Sequence, residues 1–99
     1  MAQPIYKVYL FKPMEALYQL SEQDKKSQIT KVENALKQVC GKEIISCFSG
    51  WNSEQWLGWG VEQFPNIEAV QKHNTLLVGI NWFRYVDSVT YLGTEVPKP

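Results

Sequence analysis

The stretch Ile5-Tyr6-Lys7-Val8-Tyr9-Leu10-Phe11 decides the fold. A strand with one wet face alternates apolar and polar residues. Here one alternating set is Tyr6, Val8, Leu10 and the other is Ile5, Lys7, Tyr9, Phe11. Both are mostly apolar, so both faces of this strand are predicted to be covered. Pro13 ends the run, and a connector from Met14 to Leu20 follows.

The first long helix is predicted to start at Ser21, where Ser21-Glu22-Gln23-Asp24 resembles a capping box with Asp in place of Glu. Its apolar stripe is Ile29, Val32, Leu36, Val39, and Gly41 is the expected C-terminal stop. Strand two is predicted over Glu43 to Ser49 and strand three over Gln55 to Phe64, joined by a turn at Gly50-Trp51-Asn52-Ser53. Pro65 breaks strand three, and Asn66 can cap a second long helix over Ile67 to Trp82. Strand four is predicted over Arg84 to Thr94. The order β-α-β-β-α-β is the ferredoxin-like arrangement. It predicts one domain over residues 1–99: an α+β, four-stranded antiparallel sheet with strands one and three in the middle and both helices on one face.

The other face is left bare. Four strands of about five residues present ~300 Å² in projection. Covering that area with apolar contact is worth ~8 kcal/mol, comparable with the whole stability of a small domain. A second copy of the chain, pairing through the open sheet face, is the expected cover.

Alternation assigns the faces. Tyr6, Val8 and Leu10 are expected to face the helices, with Leu57, Trp59, Val61 and Gln63 of strand three. The open face then holds Ile5, Lys7, Tyr9 and Phe11 with Trp56, Gly58, Gly60, Glu62 and Phe64. A one-residue slip would exchange the two.

Composition narrows the function. Ten basic and ten acidic residues give zero net charge, without the positive surface a nucleic-acid partner or an anionic membrane needs. No apolar run reaches the ~20 residues of a membrane span, and the start lacks a signal-peptide pattern. Cys40 and Cys47 are spaced unlike a metal or redox pair. Reduced, packed thiols in a cytoplasmic protein are expected.

Two residues carry candidate acid–base chemistry. Glu62, if enclosed among aromatics, would have its pKa raised by desolvation and act as a general base or acid near neutral pH. The plainer reading is a salt-bridged or wet strand carboxylate. His73, the only histidine, could shuttle protons or ligate a haem; a lone histidine beside an apolar stripe is more often simply packed. Tyr9, Phe11, Trp56 and Tyr91 are the expected ligand-binding walls, since aromatic surfaces suit flat apolar ligands. No phosphate-binding glycine loop or metal-ligand cluster occurs.

The element order, the segment Lys12-Pro13 through Leu20-Ser21-Glu22 and the run Trp82-Phe83-Arg84-Tyr85-Val86-Asp87-Ser88-Val89 resemble the dimeric α+β barrel superfamily, and within it an uncharacterised bacterial family. The resemblance implies two ferredoxin-like subunits whose sheets close into a barrel. Members include cofactor-free monooxygenases, muconolactone isomerases, haem-degrading enzymes and polyketide cyclases. The haem-degrading members use an Asn on strand one, a Trp on strand three and a His on helix two. Trp59 or Trp56 and His73 match the last two, and strand one has no Asn. The expectation is a homodimeric enzyme acting on a small apolar or aromatic metabolite, with no cofactor and no metal. The alternative is a non-catalytic small-molecule-binding or accessory protein on the same barrel.

Overall fold

A computed structural model describes residues 3–52 and 55–98. Four strands, β1 (Ile5–Pro13), β2 (Lys42–Phe48), β3 (Gly58–Phe64) and β4 (Val86–Gly93), form one antiparallel sheet in the order β2-β3-β1-β4. The long helices α2 (Glu22–Gln38) and α3 (Ile67–Gly79) are flanked by single-turn helices α1 (Glu15–Tyr18) and α4 (Trp82–Tyr85). This is the ferredoxin-like fold, with β1 and β3 central.

Local chemistry sets the boundaries. Ser21 Oγ accepts the Asp24 N–H at 3.1 Å and Asn66 Oδ1 accepts the Ala69 N–H at 2.8 Å, so both long helices begin at the expected caps. Their ends differ from expectation. Cys40, not Gly41, takes the left-handed conformation after α2 (φ 59°). Gly41 N donates to Leu36 O and Cys40 N to Lys37 O, the Schellman pattern. Gly41 serves close approach instead: a Cβ there would run into the Leu36 side chain. The expected helix to Trp82 stops at Gly79, because left-handed Asn81 (φ 60°) breaks it and starts α4. Strand three starts later than expected, at Gly58, and Ser53 of the expected turn lies outside the described residues.

The faces are the reverse of those assigned by alternation. Phe64 is fully buried with Val39 and Val70, and Ile5 packs against them, so Ile5 and Phe64 face the helices. Lys7, Tyr9, Phe11 and Glu62 share that face. Register then puts Tyr6, Val8, Leu10, Trp59, Val61, Gln63, Val89 and Tyr91 on the open side. Two glycines explain the inversion. Tyr9 lies opposite Gly60 and Phe11 opposite Gly58. A Cβ at Gly60 would collide with the Tyr9 ring and one at Gly58 with the Phe11 ring. Each glycine is a notch that lets an aromatic ring lie over β3 beneath the helices.

Cys40 and Cys47 are free thiols, but Cys40 is exposed rather than packed. Among the described residues no helix is long and apolar enough to cross a membrane.

Candidate functional site

The helix-facing side of β1 carries Lys7, which lies directly across the ladder from Glu62 of β3. From above, α3 buries the stripe Val70, His73, Leu77, spaced three and four apart on one helical face. His73 thereby comes down onto the two charged strand residues. Lys7 Nζ stands 3.2 Å from His73 Nδ1 and 3.4 Å from Glu62 Oε1. It also lies 5.3 Å from the centre of the Phe64 ring, against which the imidazole packs at 5.2 Å. Lys7 and Glu62 are each 9% exposed and His73 2%.

Burial shifts the protonation of this cluster. Desolvation raises the Glu62 pKa above its ordinary value, against the opposing pull of the Lys7 ammonium. Desolvation, aided by the Lys7 charge, lowers His73 to about 4, so its imidazole is neutral at pH 7. Tyr9 is pushed up to about 12, chiefly by burial, and its phenol stays protonated. Its hydroxyl donates to Glu43 Oε1 at 3.3 Å.

Beside the cluster a cleft of about 780 Å³ opens between the helices and the sheet, within the size range of small-molecule sites. Tyr9 and Phe11 form part of its floor; Ile29, Val32 and Leu36, the apolar stripe of α2, form a wall. Lys7, Glu62 and His73 lie at its polar side. A smaller depression of about 260 Å³ near Pro4, Cys40, Lys42 and Pro65 includes no part of the cluster.

Of the residues singled out from sequence, Glu62, His73, Tyr9 and Phe11 meet here, under the helices rather than on the bare face. Trp56 and Tyr91 do not join them. Trp56 precedes β3, with Lys12 Nζ 5.5 Å from its ring centre. Tyr91 pairs with Val8 and lies exposed on the open side. Lys7 was missed. Its signal was present: it is the one charge within Ile5–Phe11, as Glu62 is the one charge within β3. Neither strand alone says that these charges are partners.

The residues fit poorly to haem. Trp59 faces the side of the sheet away from His73, and the central strand-one residue beside His73 is a lysine. A metal-binding histidine gives its other ring N–H to an acceptor, whereas His73 Nδ1 faces an ammonium group. Among the described residues no set of three His, Cys, Asp or Glu side chains is placed to hold a metal ion.

Solved structures share the fold. Two mutants of chlorite dismutase from Candidatus Nitrospira defluvii superpose with a TM-score of 0.78, at 11% and 13% identity, over 99% and 100% of this chain. A protein of unknown function from Rhodopseudomonas palustris gives a TM-score of 0.68 at 12% identity over 99% of this chain and 86% of its own. The chain resembles these proteins in its ferredoxin-like fold. At these identities the likeness concerns the fold, not the chemistry. The chain spans 42% of the length of each of the two dismutase chains. No family model matches it, and no curated protein does.

Proposed function

We propose that this dimeric α+β barrel-like chain is a small enzyme that moves a proton on a flat apolar or aromatic compound bound in the cleft, with Glu62 as the proton carrier. One observation carries the reading: three buried ionisable groups, Lys7, Glu62 and His73, stand together on the wall of a cleft that is otherwise largely apolar. Burying charge opposes folding unless it is well paired, and strongly shifted groups concentrate at functional sites. A carboxylate whose pKa burial raises above its ordinary value is a stronger base, and it can take a proton from a carbon acid and return it at another position. Such a step breaks and remakes a C–H bond and needs no oxidant. A binding protein without turnover is the second reading, favoured by the pairing that Glu62 already has with Lys7.

The chain acts as a homodimer in this proposal, joined through the open sheet face. Val8 lies between Val61 and Tyr91, and Leu10 between Trp59 and Val89. Together they make an apolar band across three strands, with Trp59 37% and Tyr91 62% exposed. A patch of this kind marks an interaction surface.

The test uses 2-indanone, a flat ketone with acidic C–H bonds, in deuterated buffer. Protein-catalysed deuterium exchange beside the carbonyl, lost in Glu62→Gln, is the expected result. Binding without exchange selects the second reading. No binding sinks the carbonyl-compound reading.

A further inference from the structure

The cluster fixes the position of one proton. Lys7 is paired with the Glu62 carboxylate; as an ammonium it carries three donors and no lone pair. Its 3.2 Å contact with His73 Nδ1 therefore has one polarity: Nζ donates and Nδ1 accepts. A neutral imidazole has one ring proton, so that proton is on Nε2. This nitrogen is buried and has no hydrogen-bond partner among the described residues. Buried donors are rarely left unmet in native proteins, and His73 is one of the residues that line the cleft.

We infer that Lys7 holds His73 as the Nε2–H tautomer, and that this N–H anchors a carbonyl oxygen on the cleft ligand. The inference rests on the ligand-binding reading above and adds to it the polar atom the ligand must bring. The chemistry around the ring favours a neutral carbonyl over a carboxylate. Glu62 and His73 share Lys7, so a ligand carboxylate would set a second negative charge close to Glu62, which like-charge repulsion opposes. The tautomer also separates His73 from metal ligation. An iron or zinc ion needs the lone pair of Nε2, and that lone pair exists only when Nδ1 bears the proton and finds an acceptor. Lys7 occupies that place with a donor.

Because the chain has one histidine, a long-range ¹H–¹⁵N spectrum reports this ring alone. The expected spectrum of the ligand-free protein at pH 7 has a protonated Nε2 and an unprotonated Nδ1. In Lys7→Met the preference is lost and both tautomers are populated. Titrating 2-indanone into the wild type shifts the Nε2–H resonance, while indane, the same ring system without the oxygen, leaves it in place and binds about fivefold more weakly. The reverse tautomer in the wild type overturns the inference, and needs no variant to fold. An Nε2–H resonance that does not move at millimolar 2-indanone, or that moves equally with indane, overturns the anchoring role. So does a hemin titration whose absorption shift vanishes in His73→Ala. Deuterium exchange into the ketone tests Glu62 and is read independently of the tautomer, so failure of the proposed reaction and failure of this inference are distinguishable.

Discussion

His73 should control how the protein responds to acid. Its folded pKa is about 4, against 6.5 for an ordinary histidine. Burial is the larger cause and the Lys7 charge the smaller. Between those two values the unfolded chain holds a proton that the folded chain refuses, so lowering the pH favours unfolding. The contribution of this group is complete above pH ~6.5, is lost as the pH falls, and reaches its full loss near pH 4. A depression of about 2.5 units corresponds to about 3 kcal/mol, a large part of the 5–15 kcal/mol that typically holds a domain together. Glu62 works the other way. Its folded pKa is raised, so its contribution is present below its ordinary pKa and is lost as the pH rises through the folded value. The wild-type profile therefore mixes two opposing slopes.

The His73→Leu variant removes one slope and keeps the other. Urea unfolding, followed by tryptophan fluorescence between pH 4 and 7 at fixed protein concentration, gives the difference. The variant should gain on the wild type by about 3 kcal/mol on going from pH 7 to pH 4. Titrating the single imidazole by NMR should place its midpoint near pH 4. A stability difference that stays flat over this range, or an imidazole midpoint near 6.5, refutes the buried-cluster reasoning.

Three further outcomes follow from named contacts. Lys7→Met leaves the Glu62 carboxylate buried without its partner and should cost about 3–5 kcal/mol by chemical denaturation; adding Glu62→Leu should recover much of that loss, and strict additivity of the two changes would contradict the pairing. Gly60→Val places a side chain against the Tyr9 ring and the Ile45 carbonyl, so it should destabilise by about 1–3 kcal/mol, and an unchanged thermal midpoint would show that the notch is not needed. Trp59→Lys puts a charge in the apolar band of the open face and should yield a monomer in sedimentation velocity at micromolar concentration; a surviving dimer would place the interface elsewhere.

Element order was legible in the sequence because its signals are local. Ser21, Asn66 and Pro65 each act within a few residues of themselves. Which way the strands face was not legible, because that depends on pairs. In Ile5–Phe11 the set containing Lys7 looked like the wetter one. Lys7 is buried because Glu62 stands across the ladder and His73 stands above it. In β3 the set Gly58, Gly60, Glu62 looked like a poor core face. Its two glycines leave room that Phe11 and Tyr9 fill from the neighbouring strand. Read singly, each strand puts its weaker set outside; read as a pair, those weaker sets complete one another. Cys40 gives the same lesson at smaller scale, since the left-handed position fell to it while Gly41 was needed for room against Leu36.

The inversion also changes what the bare face means. With the original assignment, dimer contact and ligand site would compete for one surface. In the observed register Lys7 and Val8 are sequence neighbours on opposite faces of β1, as Glu62 and Val61 are on β3. The acid–base cluster belongs to the cleft side, and the apolar band belongs to the open side. A ligand in the cleft and a partner on the open face would not exclude each other, and any coupling between them would have to pass through the backbones of β1 and β3. A change such as Trp59→Lys should therefore alter assembly strongly while leaving the His73 tautomer intact. Loss of that tautomer on forming the monomer would mean that pairing of the sheets sets the position of β1, and with it the reach of Lys7 to His73.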